Sequence, residues 1–205
     1  MLKTYFRKRF QKRLSLGVCW FFYSVFPSIA LAKEGIPPSQ FDFQVSRQGE
    51  EILLHVHYIA PLNECNAYAF LTDYENAKMI NGVKESKIIS REGNVVLVER
   101  LIEERVLGFP IEMRSLEKYI EQAPQKIDFE QIKGEAKKYQ GTWALEPAES
   151  GTTFNYQAVI EMGSFIPKWV ITYFIKNSAA DRFKQMASFA REKESYPYAQ
   201  CKTKN

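Results

Sequence analysis

The chain has 205 residues, with 28 Lys and Arg against 24 Asp and Glu for a net charge of +4, and 45% of its residues are apolar. Six of the basic residues (Lys3, Arg7, Lys8, Arg9, Lys12, Arg13) sit together at the N-terminus with no acidic residue among them. The positive balance therefore belongs to one end of the chain, and a nucleic-acid partner is not expected.

Those basic residues precede an apolar stretch from Leu14 to Leu31 and a small-residue exit, Ala30-Leu31-Ala32. This is the layout of a secretory signal peptide, residues 1–32, with cleavage expected after Ala32. The alternative is that residues 14–31 stay attached as a membrane anchor, since about eighteen apolar residues is near the lower limit for a span. Cys19 lies too early in the stretch for a lipoprotein site. Removing the leader leaves 22 basic against 24 acidic residues, net −2. Export, with the periplasm of a bacterium as destination, means oxidising surroundings without an ATP or NAD pool. Two cysteines then remain, Cys65 and Cys201, at opposite ends of the domain. A bridge between them would restrict the unfolded chain by roughly 4–5 kcal/mol in the entropic account. The alternative is two unpaired thiols.

Residues 33–44 read as a linker, marked by Gly35 and Pro37-Pro38, and residues 45–205 as one domain. Strand-like runs Phe43–Arg47 and Ile52–Ile59 flank a turn at Gln48-Gly49-Glu50. Asn63 is placed to cap a helix carrying Ala67, Phe70, Leu71 and Tyr74, and Asp73 to cap a second short one over Tyr74–Ile80. Six further strand-like runs follow: Val83–Arg91, Val95–Val106, Ile111–Glu121, Lys126–Lys133, Lys137–Glu146 and Thr152–Glu161. Short turns between them, Leu107-Gly108-Phe109-Pro110 among them, demand antiparallel neighbours. Tyr139, Gly141, Trp143 and Leu145 share one face, as do Phe154, Tyr156, Ala158 and Ile160. The longest helix closes the chain, about Pro167 to Lys193. Ile166, Trp169, Val170, Tyr173, Ala180, Phe183, Ala187 and Ala190 recur along it at the helical period.

The pattern predicts an α+β helix-grip fold: a curved antiparallel sheet of six to seven strands around a long C-terminal helix, with two short helices after the first strands. The run Ala67-Tyr68-Ala69-Phe70-Leu71-Thr72-Asp73-Tyr74-Glu75-Asn76 resembles the first helices of the START-like (SRPBCC) superfamily of lipid-transfer domains, coenzyme Q-binding proteins and polyketide cyclase/dehydrases. Ile80 to Ser86, Gly141 to Pro147, Gly151 to Tyr156 and Ile166-Pro167 are similar to later passages of the same superfamily. The resemblance spans about residues 50 to 195. It implies an internal tunnel for a hydrophobic small molecule or lipid, with no cofactor, and identifies fold better than function.

Trp143, Tyr156, Ile166, Trp169 and Tyr173 are the candidate wall of that tunnel, since Tyr and Trp offer apolar area with one polar handle. Taken singly, Trp143, Tyr156, Trp169 and Tyr173 are better explained as core; it is the volume left by a sheet curling around one helix that makes them a wall together. The stretch Gly163 to Trp169 is read either as a lip touching a membrane transiently or as a plain connection. The middle strands carry charge on both faces: Glu99, Glu103 and Arg105 on one, Arg100 and Glu104 on the other, then Glu112 and Arg114 in the next strand. Arg100 and Arg114 are candidates for holding a ligand head group, against the alternative of cross-strand ion pairs near the rim. His55 and His57 share a face, but no third ligand or metal motif accompanies them. Nothing in the sequence asks for a second copy of the chain, so a monomer is expected.

Two functions follow. One is an exported carrier that needs no catalysis. The other is a cyclase/dehydrase-type enzyme using Arg100, Tyr156 or His57 on a polyketide-like substrate.

Overall fold

The computed structural model describes residues 41–106, 108–163 and 168–201. The expected leader, most of the linker, Ile166 and most of the Gly163–Trp169 stretch lie outside the described residues. Eight strands form one antiparallel sheet: β1 (Phe41–Gln48), β2 (Glu51–Ala60), β3 (Val83–Glu92), β4 (Val95–Val106), β5 (Phe109–Gln122), β6 (Lys126–Lys133), β7 (Ala136–Ala148) and β8 (Gly151–Met162). Their spatial order is β1-β2-β8-β7-β6-β5-β4-β3. The helices are α1 (Glu64–Thr72), α2 (Lys168–Phe174) and α3 (Ala180–Glu192), with a 3₁₀ turn at Tyr74–Met79. This is the helix-grip architecture, with eight strands among the described residues rather than six to seven.

Alternation explains the core. Ile52, Leu54, Val56, Tyr58 and Ala60 of β2 all point inward and are buried, while their neighbours in sequence are partly or fully exposed. β8 answers with Phe154, Tyr156 and Ala158; Tyr58 stands opposite Phe154 in the register, and their rings stack 4.7 Å apart. Ala187 and Ala190 of α3 are fully buried, and α3 packs against β2. Residues this small let a helix lie close to a sheet.

Three local features depart from the sequence reading. The turn between β4 and β5 is tighter than Leu107–Pro110: Val106 already faces Phe109, and Gly108 supplies the positive φ of +87° that a two-residue reversal needs. Asn63 caps α1 as expected, accepting from the Asn66 N–H at 2.9 Å. Asp73 does not cap the 3₁₀ turn, because its carboxylate instead accepts from the Tyr198 hydroxyl at 3.0 Å and the Asn76 side-chain Nδ2 at 2.7 Å.

The third departure concerns the closing helix. A π-helical turn at Ile175–Ala179 separates α2 from α3. Its extra residue breaks the simple 3.6-residue repeat, so Phe174 and Ile175 fall on the same face as Arg182 and Phe183, eight positions on rather than seven. The series Trp169, Tyr173, Ala180 assumed an unbroken repeat. Trp169 consequently faces outward, 56% exposed.

Cys65 and Cys201 are bonded, with Cα atoms 5.6 Å apart. The bridge ties the end of the chain to the first turn of α1. Beside it, the Tyr198 N–H donates to the Asn66 side-chain oxygen at 3.1 Å, and the Lys193 ammonium lies 4.5 Å from the centre of the Tyr198 ring.

Candidate functional site: an apolar cavity with a paired polar end

Between the concave face of the sheet and the closing helix lies a cavity of about 680 Å³, within the range of small-molecule sites. Its wall is mostly apolar. Leu54, Ile102, Met113, Ile127, Phe129 and Trp143 line it from the sheet, and Phe174, Ile175, Phe183 and Met186 from the helix. The aromatic members pack on one another: Tyr156 lies 5.6 Å from Phe129 in a stacked pair and 4.9 Å from Phe183 in a tilted one. Gly141 makes this packing possible. A Cβ there would meet the Phe129 Cζ at 2.6 Å and the Gln157 carbonyl oxygen at 2.1 Å, so the close approach is by a strand neighbour and the backbone, not by the helix.

A polar network stands inside this wall. Arg100 of β4 donates to Glu117 of β5 at 2.7 Å and to the Tyr119 hydroxyl at 2.5 Å, and Tyr119 donates in turn to Glu117. The other Glu117 oxygen accepts from Ser115 at 2.9 Å. Arg100 Nε reaches Ser86 at 3.4 Å, and the Ser86 hydroxyl donates to the Tyr74 carbonyl at 2.6 Å. A buried charge is tolerable only when so partnered. Burial works against the Arg100 charge, yet Tyr119 and Glu117 together hold its pKa above the usual guanidinium value. Beside the network the Tyr139 and Tyr156 hydroxyls lie 3.1 Å apart. Burial, reinforced by Glu117, pushes the Tyr139 pKa up to about 12; burial also raises that of Tyr156, with Tyr139 adding to it. Both are neutral phenols at physiological pH.

A second pair joins sheet to helix. Glu104 of β4, 6% exposed, accepts from Arg182 of α3 at 2.5 Å and from Ser178 of the π turn at 2.5 Å. The Arg182 guanidinium also covers the Phe174 ring at 5.0 Å.

Of the sequence candidates, Arg100, Trp143 and Tyr156 line the cavity together. Tyr173 is half-buried and Trp169 exposed, and neither is on the lining. Arg114 lies on the outer face of β5, paired with Glu99 at 3.0 Å and Glu85 at 3.6 Å. His57 faces away from the cavity too, bonded through Nδ1 to Asn155 at 2.8 Å. Among the described residues no three His, Cys, Asp or Glu gather to hold a metal ion. Sequence reasoning missed Glu117, Tyr119 and Arg182. The first two share parity with Ser115 and Met113 along β5, which was the available signal; for Arg182 the π turn concealed the face.

The family model for polyketide cyclase/dehydrase and lipid transport matches residues 61–186. No curated protein matches the sequence. Among solved structures, the chain is similar to a STAR-related lipid transfer protein from Xanthomonas axonopodis (13% identity, TM-score 0.58, covering 73% of this chain and 98% of that one). It is similar also to the Zhui aromatase/cyclase from Streptomyces sp. R1128 (11%, 0.56, 73% and 98%) and to a START superfamily protein from Mycobacterium smegmatis (11%, 0.54, 70% and 98%). At such identities the structural likeness speaks for the fold, while the family match covers more than half of the sequence. The chain belongs to the polyketide cyclase/dehydrase and lipid transport family.

Proposed function

We propose that this protein is exported and binds or shuttles a hydrophobic ligand, such as a lipid or quinone, in its internal cavity, with no catalysis required. The observation that carries this reading is the apolar volume of about 680 Å³ held between sheet and helix. A core packed for stability alone would fill such a space with its own side chains. Membership of a lipid-transport family supports it. The export part rests on the layout of residues 1–32, with cleavage after Ala32, and the Cys65–Cys201 bridge suits an oxidising compartment. Transient membrane contact belongs to the same proposal. Trp169 and Phe109, 56% and 75% exposed, are the large apolar side chains offered for such contact, and the α2 that carries Trp169 packs against β4.

Native mass spectrometry and solvent extraction of protein purified from an envelope fraction test the binding. An apolar molecule bound in stoichiometric amount is expected. Protein that carries none, and takes up no apolar probe, would overturn the reading.

One observation favours a second reading, a cyclase/dehydrase acting on a polyketide-like substrate. Arg100, Glu117, Tyr119 and Tyr139 converge on the cavity, and burial shifts their tyrosines strongly. The shifts are upward, which makes these phenols hydrogen-bond donors rather than bases. Chemical conversion of an added polyketide mimic by purified protein would favour this alternative.

A further inference from the structure

The polar group of the ligand can be narrowed by the charges around the cavity, an inference that rests on the carrier reading. Within the cavity wall four ionised side chains face inward, and they are spent on one another. Arg100 is taken by Glu117, and Arg182 by Glu104. Neither guanidinium is left as an uncompensated cation, and each carboxylate already accepts from at least two groups. The remaining charged residues on the lining are Asp73, Glu135, Glu192 and Lys193, three acids against one base. The Lys193 ammonium is engaged over the Tyr198 ring. A carboxylate or phosphate entering this space would lose its hydration and meet excess negative charge.

Hydrogen-bond capacity is different. The Tyr139 and Tyr156 hydroxyls bring two protons to a contact that uses one. One O–H remains to be donated, from a pair embedded in apolar wall, close to the Arg100 network. The complementary group is an uncharged oxygen with a lone pair, that is, a carbonyl, ester or hydroxyl.

We propose that the Tyr139–Tyr156 pair is the polar subsite of the cavity, that it receives an uncharged oxygen of an otherwise apolar ligand, and that the Arg100–Glu117 pair excludes anionic head groups by leaving no free cation. Arg100 thus acts as a positioning residue for Tyr119 and Glu117, not as the head-group clamp that the sequence invites.

Displacement of the uncharged fluorophore N-phenyl-1-naphthylamine tests this with three probes of equal chain length: 2-tetradecanone, tetradecanoic acid at neutral pH, and tetradecane. The ketone is expected to displace the fluorophore about tenfold better than the acid, as one added hydrogen bond and one avoided charge burial require. Tyr139→Phe alone leaves the Tyr156 O–H to donate, so the double variant Tyr139→Phe/Tyr156→Phe is the deciding one, and it should lower the ratio of ketone to tetradecane affinity by roughly two- to tenfold. Glu117→Gln, which frees the Arg100 cation, should shift preference toward the acid. Should Glu117→Gln fail to fold, the double-variant ratio still decides. An acid that binds as tightly as the ketone, or a double-variant ratio equal to wild type, would overturn the subsite while leaving the apolar cavity in place. If the fluorophore and all three probes, tetradecane included, fail to bind, the carrier reading falls with it.

Discussion

Gly82 lies directly against the Arg182 guanidinium. A Cβ at Gly82 would stand 2.1 Å from Arg182 Nη2 and 2.9 Å from the Glu103 carbonyl oxygen, and the backbone there has a φ of +86°. The missing side chain is what lets Arg182 pass Gly82 to reach Glu104. Gly82→Ala should therefore cost about 1–3 kcal/mol, part from the backbone and part from displacing the guanidinium. Denaturant unfolding reads this directly; an unchanged midpoint would remove Gly82 from the account of the Glu104–Arg182 pair.

Gly141 makes a sharper case, because its obstacle includes main chain. The Gln157 carbonyl oxygen and the Ala158 Cα would stand only 2.1 and 2.9 Å from a methyl group at this position. β8 would have to move away from β7, and the Phe129–Tyr156 stack with it. Gly141→Ala should lower stability by about 3 kcal/mol or more, as overpacked cores do at their worst. Thermal melting of the variant with retained near-wild-type stability would contradict this packing.

Reduction of Cys65–Cys201 should be costly, since the bridge joins residues 136 apart in sequence. The loss expected from chain entropy is roughly 4–5 kcal/mol. Denaturation with and without a dithiol reductant, and of Cys201→Ser, measures it. Tyr198 should loosen from Asp73 in the reduced protein, detectable as raised hydrogen exchange near residues 196–201. Identical unfolding curves in both redox states would mean that the C-terminal contacts hold without the bond.

Alkaline pH should unfold the protein earlier than its acidic groups would suggest. Burial raises the pKa of Tyr139 to about 12, and burial together with Glu121 raises that of Tyr68 likewise to about 12. The unfolded chain ionises these phenols near pH 10 while the folded one keeps them protonated. Stability is fully present below about pH 10 and is lost as pH rises toward 12. Phenolate absorbance should then appear late and in step with loss of structure, and Tyr139→Phe should flatten the decline between those values. Smooth titration of every tyrosine near pH 10, with structure intact, would contradict the burial of this set.

Strand alternation, short turns and one long amphipathic helix were enough to read the grip, because each is a local pattern with a fixed period. The site was less legible. Arg100 stood out as a charge on an apolar face, but its partner depends on hairpin register. Taking Leu107–Pro110 as the turn sets Arg100 opposite Glu117, whereas the actual register, with Val106 facing Phe109, sets it opposite Ser115 and leaves Glu117 one diagonal away. Parity survives that error, so the face was right and the pairing was hidden. Trp169 and Tyr173 show the other limit. A single extra residue at Ile175–Ala179 rotates everything before it, and no residue type announces a π turn in advance.

The order of the sheet has a consequence for how the molecule is made. β2 lies between β1 and β8, so Leu54, Val56 and Tyr58 receive their second lateral neighbour only when residues 151–162 have arrived. Until then the early β1–β2 ribbon has one open margin. Such late closure of a distant pair slows assembly and leaves that margin free to stick to other chains. A chain synthesised only as far as residue 150 therefore leaves that margin of β2 unpaired, and the sheet closes there only once the β7–β8 hairpin has followed.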